Sequence, residues 1–100
     1  MIYEVISTTQ FKKDLKRAIR RKNDVTLLEN IVQLLGNEEE LPAKHRDHAL
    51  TGNWKDFREC HIESDWLLIY QVDRKELALV LVATGTHSEV FRSRYPKSRR

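Results

Sequence analysis

The run Glu59-Cys60-His61-Ile62-Glu63-Ser64-Asp65-Trp66-Leu67-Leu68-Ile69-Tyr70-Gln71-Val72 decides how this chain folds. It reads as the end of one strand, a polar turn at 63–65, and a strongly apolar strand from Trp66 to Val72. Working outward, Asp73-Arg74-Lys75-Glu76 turns the chain again and Leu77 to Thr84 forms the next strand. Upstream, the first of the three starts at Trp54, so 54–84 is an antiparallel meander. Such a sheet needs a cover, and the first 36 residues supply one. Met1 to Ser7 is β-rich, and Ser7-Thr8-Thr9-Gln10 matches a capping box. Phe11, Leu15, Ala18 and Ile19 then follow at helical spacing to an end near Lys22-Asn23. Asp24 caps a second helix with the stripe Leu27, Leu28, Ile31, Leu34 and Leu35, which Gly36 stops. Asn37 to Asn53 is a loop, and Thr86-x-x-Glu89 caps a short final turn carrying His87, Val90 and Phe91. The expected class is α+β: a single domain over 1–100, with an N-terminal strand and a two-helix hairpin packed on an antiparallel sheet. A basic tail from about residue 92 closes it.

With 40% apolar and 33% charged residues, three Gly and two Pro, the chain can bury a core, which excludes disordered, collagenous and disulfide-scaffold classes. The longest apolar run, Leu77 to Ala83, falls far short of the roughly 20 residues a membrane span needs. No basic leader followed by an apolar stretch opens the chain, and Cys60 is a lone cysteine, so a reducing, cytoplasmic setting is expected. The net charge of +3 is unevenly spread. Residues 1–22 hold seven Lys/Arg (Lys12, Lys13, Lys16, Arg17, Arg20, Arg21, Lys22) against two acids. Residues 23–91 hold six against thirteen, and 92–100 hold five (Arg92, Arg94, Lys97, Arg99, Arg100) against none. Basic ends around an acidic centre fit a polyanion partner, and equally a solvated helix face and a free tail.

The meander makes a geometric prediction. His61 ends one strand, Asp65 and Trp66 begin the next, and His87 emerges where the last one finishes, so these residues share one sheet edge. The loop with Lys44, His45, Arg46, Asp47 and His48 can fold over them. A metal site is not expected: Cys60 and His61 are neighbours on a strand and point to opposite faces, and His45-x-x-His48 has no second pair. Cys60 faces the helices as a small hydrophobe. Cofactor-free RNA cleavage suits the set better. A ribose 2′-OH attacks the adjacent phosphate while His and carboxylate groups move the protons, and aromatic rings such as Trp66 and Phe91 stack on a base. The bland alternative puts Trp66 and Phe91 in the core and leaves the histidines structural.

The stretch Asp47-His48-Ala49-Leu50-Thr51-Gly52-Asn53-Trp54-Lys55 resembles the DH-x-L-x-G-x-WK motif of the YafQ branch of RelE-type toxins. His61-Ile62-Glu63-Ser64-Asp65-Trp66-Leu67-Leu68-Ile69-Tyr70 resembles its H-[VI]-E-x-DW-[IL]-LIY segment, and Thr84-Gly85-Thr86-His87-Ser88-Glu89-Val90-Phe91 its TG[ST]H-x-x-[LV]F ending. The resemblance implies a toxin of a type II toxin–antitoxin pair, a ribosome-dependent and metal-independent endoribonuclease that cuts messenger RNA in the A site. It implies a DinJ/RelB-like antitoxin and a monomeric free toxin. The family's catalytic positions fall on His48, His61, Asp65 and His87, with His87 as general acid and the others as base and orienters. Trp66, Phe91, Lys44 and Arg46 would hold substrate, and Lys12, Lys13, Lys16, Arg17, Arg20 and Arg21 ribosomal RNA.

One position departs from the pattern. Relatives carry Arg just before TG[ST]H, where this chain has Ala83. The loss of a phosphate-holding cation implies attenuated cleavage. Either another cation (Lys44, Arg46 or Arg92) serves, or the substitution is an inactivating one. Two rivals keep the fold without the chemistry: a ParE-like gyrase poison and a non-catalytic nucleic-acid-binding module.

Overall fold

The computed structural model describes residues 2–92. Met1, the side chain of Arg92 and the tail with Arg94, Lys97, Arg99 and Arg100 lie outside the described residues, and with them the expected C-terminal basic cluster. Strand β1 (Glu4–Ser7) leads into helices α1 (Thr9–Arg20) and α2 (Val25–Gly36). The two-residue strand β2 (His48–Ala49) and strands β3 (Arg58–Glu63), β4 (Trp66–Asp73) and β5 (Ala78–Gly85) follow, and α3 (His87–Arg92) ends the described chain. The sheet order is β1-β5-β4-β3-β2. β3, β4 and β5 are antiparallel, as the meander predicts, β2 adds a further antiparallel pairing on β3, and β1 joins β5 in parallel, making the sheet mixed.

Two expected boundaries shift. Residues 52–54 form a 3₁₀ turn, so β3 begins at Arg58 instead of Trp54, and the 37–53 loop contains β2. The first helix is capped one residue later than expected, by Thr8, whose hydroxyl accepts from the Phe11 amide at 3.0 Å. Asp24 caps α2 as expected, accepting from the Thr26 amide at 3.1 Å. Gly36 is the last residue of α2, and its carbonyl accepts the amides of Ile2 and Tyr3 at 2.9 Å each. The helix end is thereby tied to the start of β1.

Strand alternation divides the core in two. Cys60, Ile62, Leu68 and Tyr70 pack against Phe11, Ala18, Leu28, Ile31 and Leu35 of the helices. On the opposite face Ile69, Val82 and Ala83 pack with Phe57 and with Val90 of α3. No helix of the described residues is long and apolar enough to cross a membrane.

β1 ends at Ser7, and α1 takes over the same edge of β5. The β4–β5 register shifts at Val82, and the Thr8 hydroxyl donates to the Val82 carbonyl at 2.9 Å. One turn further, the Asp14 carboxylate accepts the Thr84 amide at 3.1 Å, while Arg17 donates to the Thr84 carbonyl at 3.4 Å. Asp14 is only 4% exposed, although the helical pattern gave that face to apolar residues; Ile19, expected in the stripe, is exposed. A hydrogen-bonded carboxylate repays its burial by satisfying a strand amide that has no strand partner. Asp14→Ala should therefore destabilise the fold by about 1–3 kcal/mol in chemical denaturation, because the Thr84 amide is left unpaired. An unchanged midpoint would show that this bond carries no load.

Candidate active site

The site is built on the second face of the sheet, at the edge where β3, β4 and β5 meet α3. Pairing puts His48 opposite Glu59, Glu59 opposite Ile69, and Ile69 opposite Ala83, so these four positions line one face in a row. In the neighbouring row His61 lies opposite Leu67, which lies opposite Gly85. Residues 59 and 61 share a face because strand side chains alternate, and Cys60 between them is wholly buried on the helix side. Burial first, then the nearby Asp47 and Glu59 charges, push the Cys60 thiol far above its ordinary range, which leaves it inert.

Glu59 sits at the centre of the set. Its Oε2 lies 3.3 Å from His61 Nε2 and 3.9 Å from His87 Nε2, and the two imidazole rings are 5.7 Å apart. Glu59 is 5% exposed and His61 9%, whereas the His87 side chain is 55% exposed. Asp65, also exposed, accepts the His87 amide at 3.1 Å and lies 3.4 Å from His87 Nδ1. Both His87 nitrogens thus face carboxylates. His48 donates from Nδ1 to the Arg46 carbonyl at 2.6 Å, a bond that leaves its Nε2 as an acceptor. His45 donates in the same way to the His61 carbonyl at 2.6 Å, clamping the 43–46 turn onto β3. Asp47, held by the Tyr70 hydroxyl and by Arg58 Nε at 3.3 Å, anchors the segment that carries His48. Burial, helped by the Asp47 carboxylate, drives the Tyr70 hydroxyl well above the usual tyrosine range, so it remains a donor.

His61, Asp65 and His87 therefore come together as expected, and His48 shares their sheet face. Trp66 does not join them: it is 4% exposed and packs among the helix-facing core residues, so it has no free face for a base. The aromatic wall beside His87 is formed instead by Phe91 and Trp54. The His87–Phe91 centroids lie 6.0 Å apart, and Phe91 meets Trp54 edge-on at 5.1 Å. Lys44 and Arg46 line a groove of about 670 Å³ between α2 and the 43–46 turn, with Leu27, Ile31 and Leu34 on one side and His61 at its end. Ala83 is completely buried in the second core cluster. Glu59 and Trp54 were missed in the sequence, and period-two alternation from His61 was the signal that could have found Glu59.

The basic face of α1 is divided. Lys12, Lys13, Lys16 and Arg20 are exposed, whereas the half-buried Arg17 and the exposed Arg21 pair with the chain's own acids. Arg17 lies 3.3 Å from Asp14 and 3.6 Å from Glu89, and Arg21 forms a two-point ion pair with Glu89. Glu89 also accepts the Thr86 amide at 3.0 Å, and the Thr86 hydroxyl accepts the Glu89 amide at 3.2 Å, which is the expected capping box. Gly85 adopts φ +155°, and a Cβ there would lie 2.8 Å from the Glu89 carboxylate and 3.0 Å from the Arg17 guanidinium. The hydrogen bond from Arg21, ahead of the Thr86 amide and the Arg17 charge, holds the Glu89 carboxyl down at about 2. Because that value lies below the ordinary 4.5, the contribution to stability is present above pH 4.5 and is lost as pH falls toward about 2. In urea titrations across pH, Glu89→Gln should be less stable than the parent at neutral pH, and the gap should close over that window. A gap independent of pH would show that the ion pairs do not carry it.

Comparison with known proteins places the chain in a family. Residues 3–92 match the family described as "Bacterial toxin of type II toxin-antitoxin system, YafQ". The chain is 42% identical over 83 residues to the mRNA interferase toxin YafQ of Escherichia coli K12, spanning 82% of this chain and 88% of that protein. Its fold matches the metal-bound toxin from Helicobacter pylori with TM-score 0.85 and 43% identity, over 91% of this chain and all of the other. It also matches YafQ in the E. coli DinJ–YafQ complex with TM-score 0.80 and 38% identity, over 89% of this chain and 98% of the other. The chain belongs to the YafQ family of bacterial toxins of type II toxin–antitoxin systems.

Proposed function

We propose that this chain is an mRNA interferase, an endoribonuclease that cuts messenger RNA in the ribosomal A site and so stops translation in the cytoplasm. The arrangement of His87 between two carboxylates, on one sheet face with His48 and His61, carries this reading. His48 Nε2 accepts the proton of a ribose 2′-OH, whose oxygen bonds to the adjacent phosphorus. The bond from phosphorus to the 5′-oxygen breaks, and His87 supplies the proton that the leaving oxygen needs. The products are a 2′,3′-cyclic phosphate and a 5′-hydroxyl end. His61 and Asp65 orient the reacting groups, and Phe91 with Trp54 walls the nucleotide pocket. Acid and base both come from side chains, so the step as written draws on no metal.

The exposed cations Lys12, Lys13, Lys16 and Arg20 are the part of α1 available to ribosomal RNA, while Arg17 and Arg21 are engaged internally. The E. coli relative forms a complex with DinJ, and an antitoxin of that kind is the protein partner assigned here.

Mapping message 5′ ends in a reconstituted translation reaction tests the reading. His87→Ala should lower cleavage by about 10²–10⁴-fold with the fold intact, and an unchanged rate would reject it. Ala83→Arg should raise cleavage, on the order of 10²-fold, by adding a cation near the phosphate. No increase would remove position 83 from phosphate binding. Charge reversal at Lys12, Lys16 and Arg20 should weaken ribosome binding and make its salt dependence shallower, without loss of stability. Unaltered binding would remove α1 from the interface.

A further inference from the structure

Strand β2 is two residues long, lies at the edge of the sheet and is exposed at both positions. Two backbone pairings, His48 with Glu59 and Ala49 with Arg58, are a weak hold for a side chain that must meet a reacting atom. The segment leading into it nevertheless keeps a demanding shape. Arg46 has φ +48°, a left-handed backbone that a residue with a Cβ rarely takes and keeps only where its surroundings impose it. Its carbonyl accepts from His48 Nδ1 at 2.6 Å, and its amide donates to the Ala43 carbonyl at 3.0 Å. Whatever imposes this turn also sets the direction of the His48 ring.

The hold comes from the opposite face of the sheet. Tyr70 is 1% exposed on β4, among the helix-facing core residues, and its hydroxyl donates to the Asp47 carboxylate. Arg58, its register partner on β3, donates from Nε to the Tyr70 oxygen at 3.2 Å and to Asp47 at 3.3 Å, which closes a ring of hydrogen bonds. Tyr70 and Arg58 stand on long paired strands, so Asp47 is the member that belongs to the loop. It lies between Arg46 and His48 in the chain. A carboxylate fixed there fixes the peptide units on either side, one bearing the acceptor carbonyl and the other leading to the ring.

We propose that Tyr70 and Asp47 are positioning residues for the cleavage step: the buried Tyr70 hydroxyl acts through Asp47 to hold His48 as an imidazole with its proton on Nδ1 and a free lone pair on Nε2. The effect on rate rests on the cleavage reading, in which Nε2 takes the 2′-OH proton; the hold on the ring does not. Tyr70 is too buried to touch the message, so it acts on the ring and not on the RNA. An unheld ring exchanges its proton between the two nitrogens and turns an N–H to the place where a base is needed. Rigidity thus passes from the middle of the sheet to an exposed edge strand through one hydroxyl and one carboxylate.

The test pairs kinetics with spectroscopy on the full chain. In single-turnover cleavage of ribosome-bound message, Tyr70→Phe should lower the saturating rate about 10-fold or more, with the half-saturating toxin concentration and the circular dichroism unchanged. In a His48→Ala background the same substitution should cost nothing further, because the residue it positions is gone. A hydroxyl with a merely structural role would lower both rates alike. That equal loss, or a full rate in Tyr70→Phe alone, would overturn the proposal. Nitrogen-15 spectra of the imidazoles give the second readout. His48 should carry its proton on Nδ1 in the parent and exchange between tautomers in Tyr70→Phe and Asp47→Ala. A proton on Nε2 in the parent, or an unchanged Nδ1–H ring in both variants, would overturn the hold on His48. Should Tyr70→Phe lose its fold, Asp47→Ala takes its place in both measurements. If the parent chain leaves the message uncut, the cleavage reading falls, and the tautomers alone decide whether Tyr70 holds His48.

Discussion

The structure depends on how one edge of β5 is completed. A parallel strand pairs with its first half, and then the chain turns into a helix with half of the edge still open. Three side chains of that helix and its cap continue the hydrogen-bond row: Thr8 at Val82, Asp14 at the Thr84 amide, and Arg17 at the Thr84 carbonyl. A buried strand edge cannot leave these groups unpaired, since each would forfeit its hydration without return. The carboxylate of Asp14 therefore fixes both the rotation of α1 about its axis and the height at which β5 ends. Everything at the site's edge, from Gly85 to His87, starts from that point.

Strand alternation then separates two environments a single residue apart. Cys60 and Ile62 belong to the helix-facing core, while Glu59 and His61 face the site. A strand with polar groups on its inner-row positions can be tolerated only where those groups satisfy one another, as the Glu59 carboxylate and the His61 ring do. Among the described residues, the same arrangement leaves His61 Nδ1 buried without a hydrogen-bond partner. A neutral amide or hydroxyl in place of Glu59 would offer less to two imidazoles, which is why the charge at this position matters more than its size.

Much of this was legible in the sequence, for physical reasons that differ by element. The meander was readable because its turns are polar clusters and its strands are uninterrupted apolar runs. The Asp24 cap and the Thr86–Glu89 box depend on neighbours three residues away or fewer, so they too were readable. What escaped notice rests on distant partners. Asp14 looks like a solvated helix residue until Thr84 is brought against it, seventy positions later. Trp66 looks like a candidate for stacking because it adjoins Asp65, yet alternation turns it to the opposite face from His61's ring. Trp54 took that role because residues 52–54 form a turn in place of a strand, which swings its ring toward Phe91. The parallel pairing of β1 could not be read from a pattern that four residues alone supply.

The last constraint is that α3 is too short to stand by itself. Six residues make fewer than two helical turns, and an isolated helix of that length is unstable in water. Its position is imposed by three attachments: Val90 buried against Ile69 and Ala83, the Asp65 carboxylate on the His87 amide, and Glu89 gripped by Arg17 and Arg21. Two of the three are electrostatic, and one of those draws its cations from α1. The helix that carries the outward basic face thus also holds the segment bearing His87. Residues advance about 100° per position on a helix, so Lys12, Lys16 and Arg20 share one side while Arg17 and Arg21 turn toward Glu89. A helix with cations on both sides reads as uniformly basic in sequence, but only its outer stripe is free to meet an external polyanion. The inner pair already has its anion, and through Glu89 it sets where His87 stands.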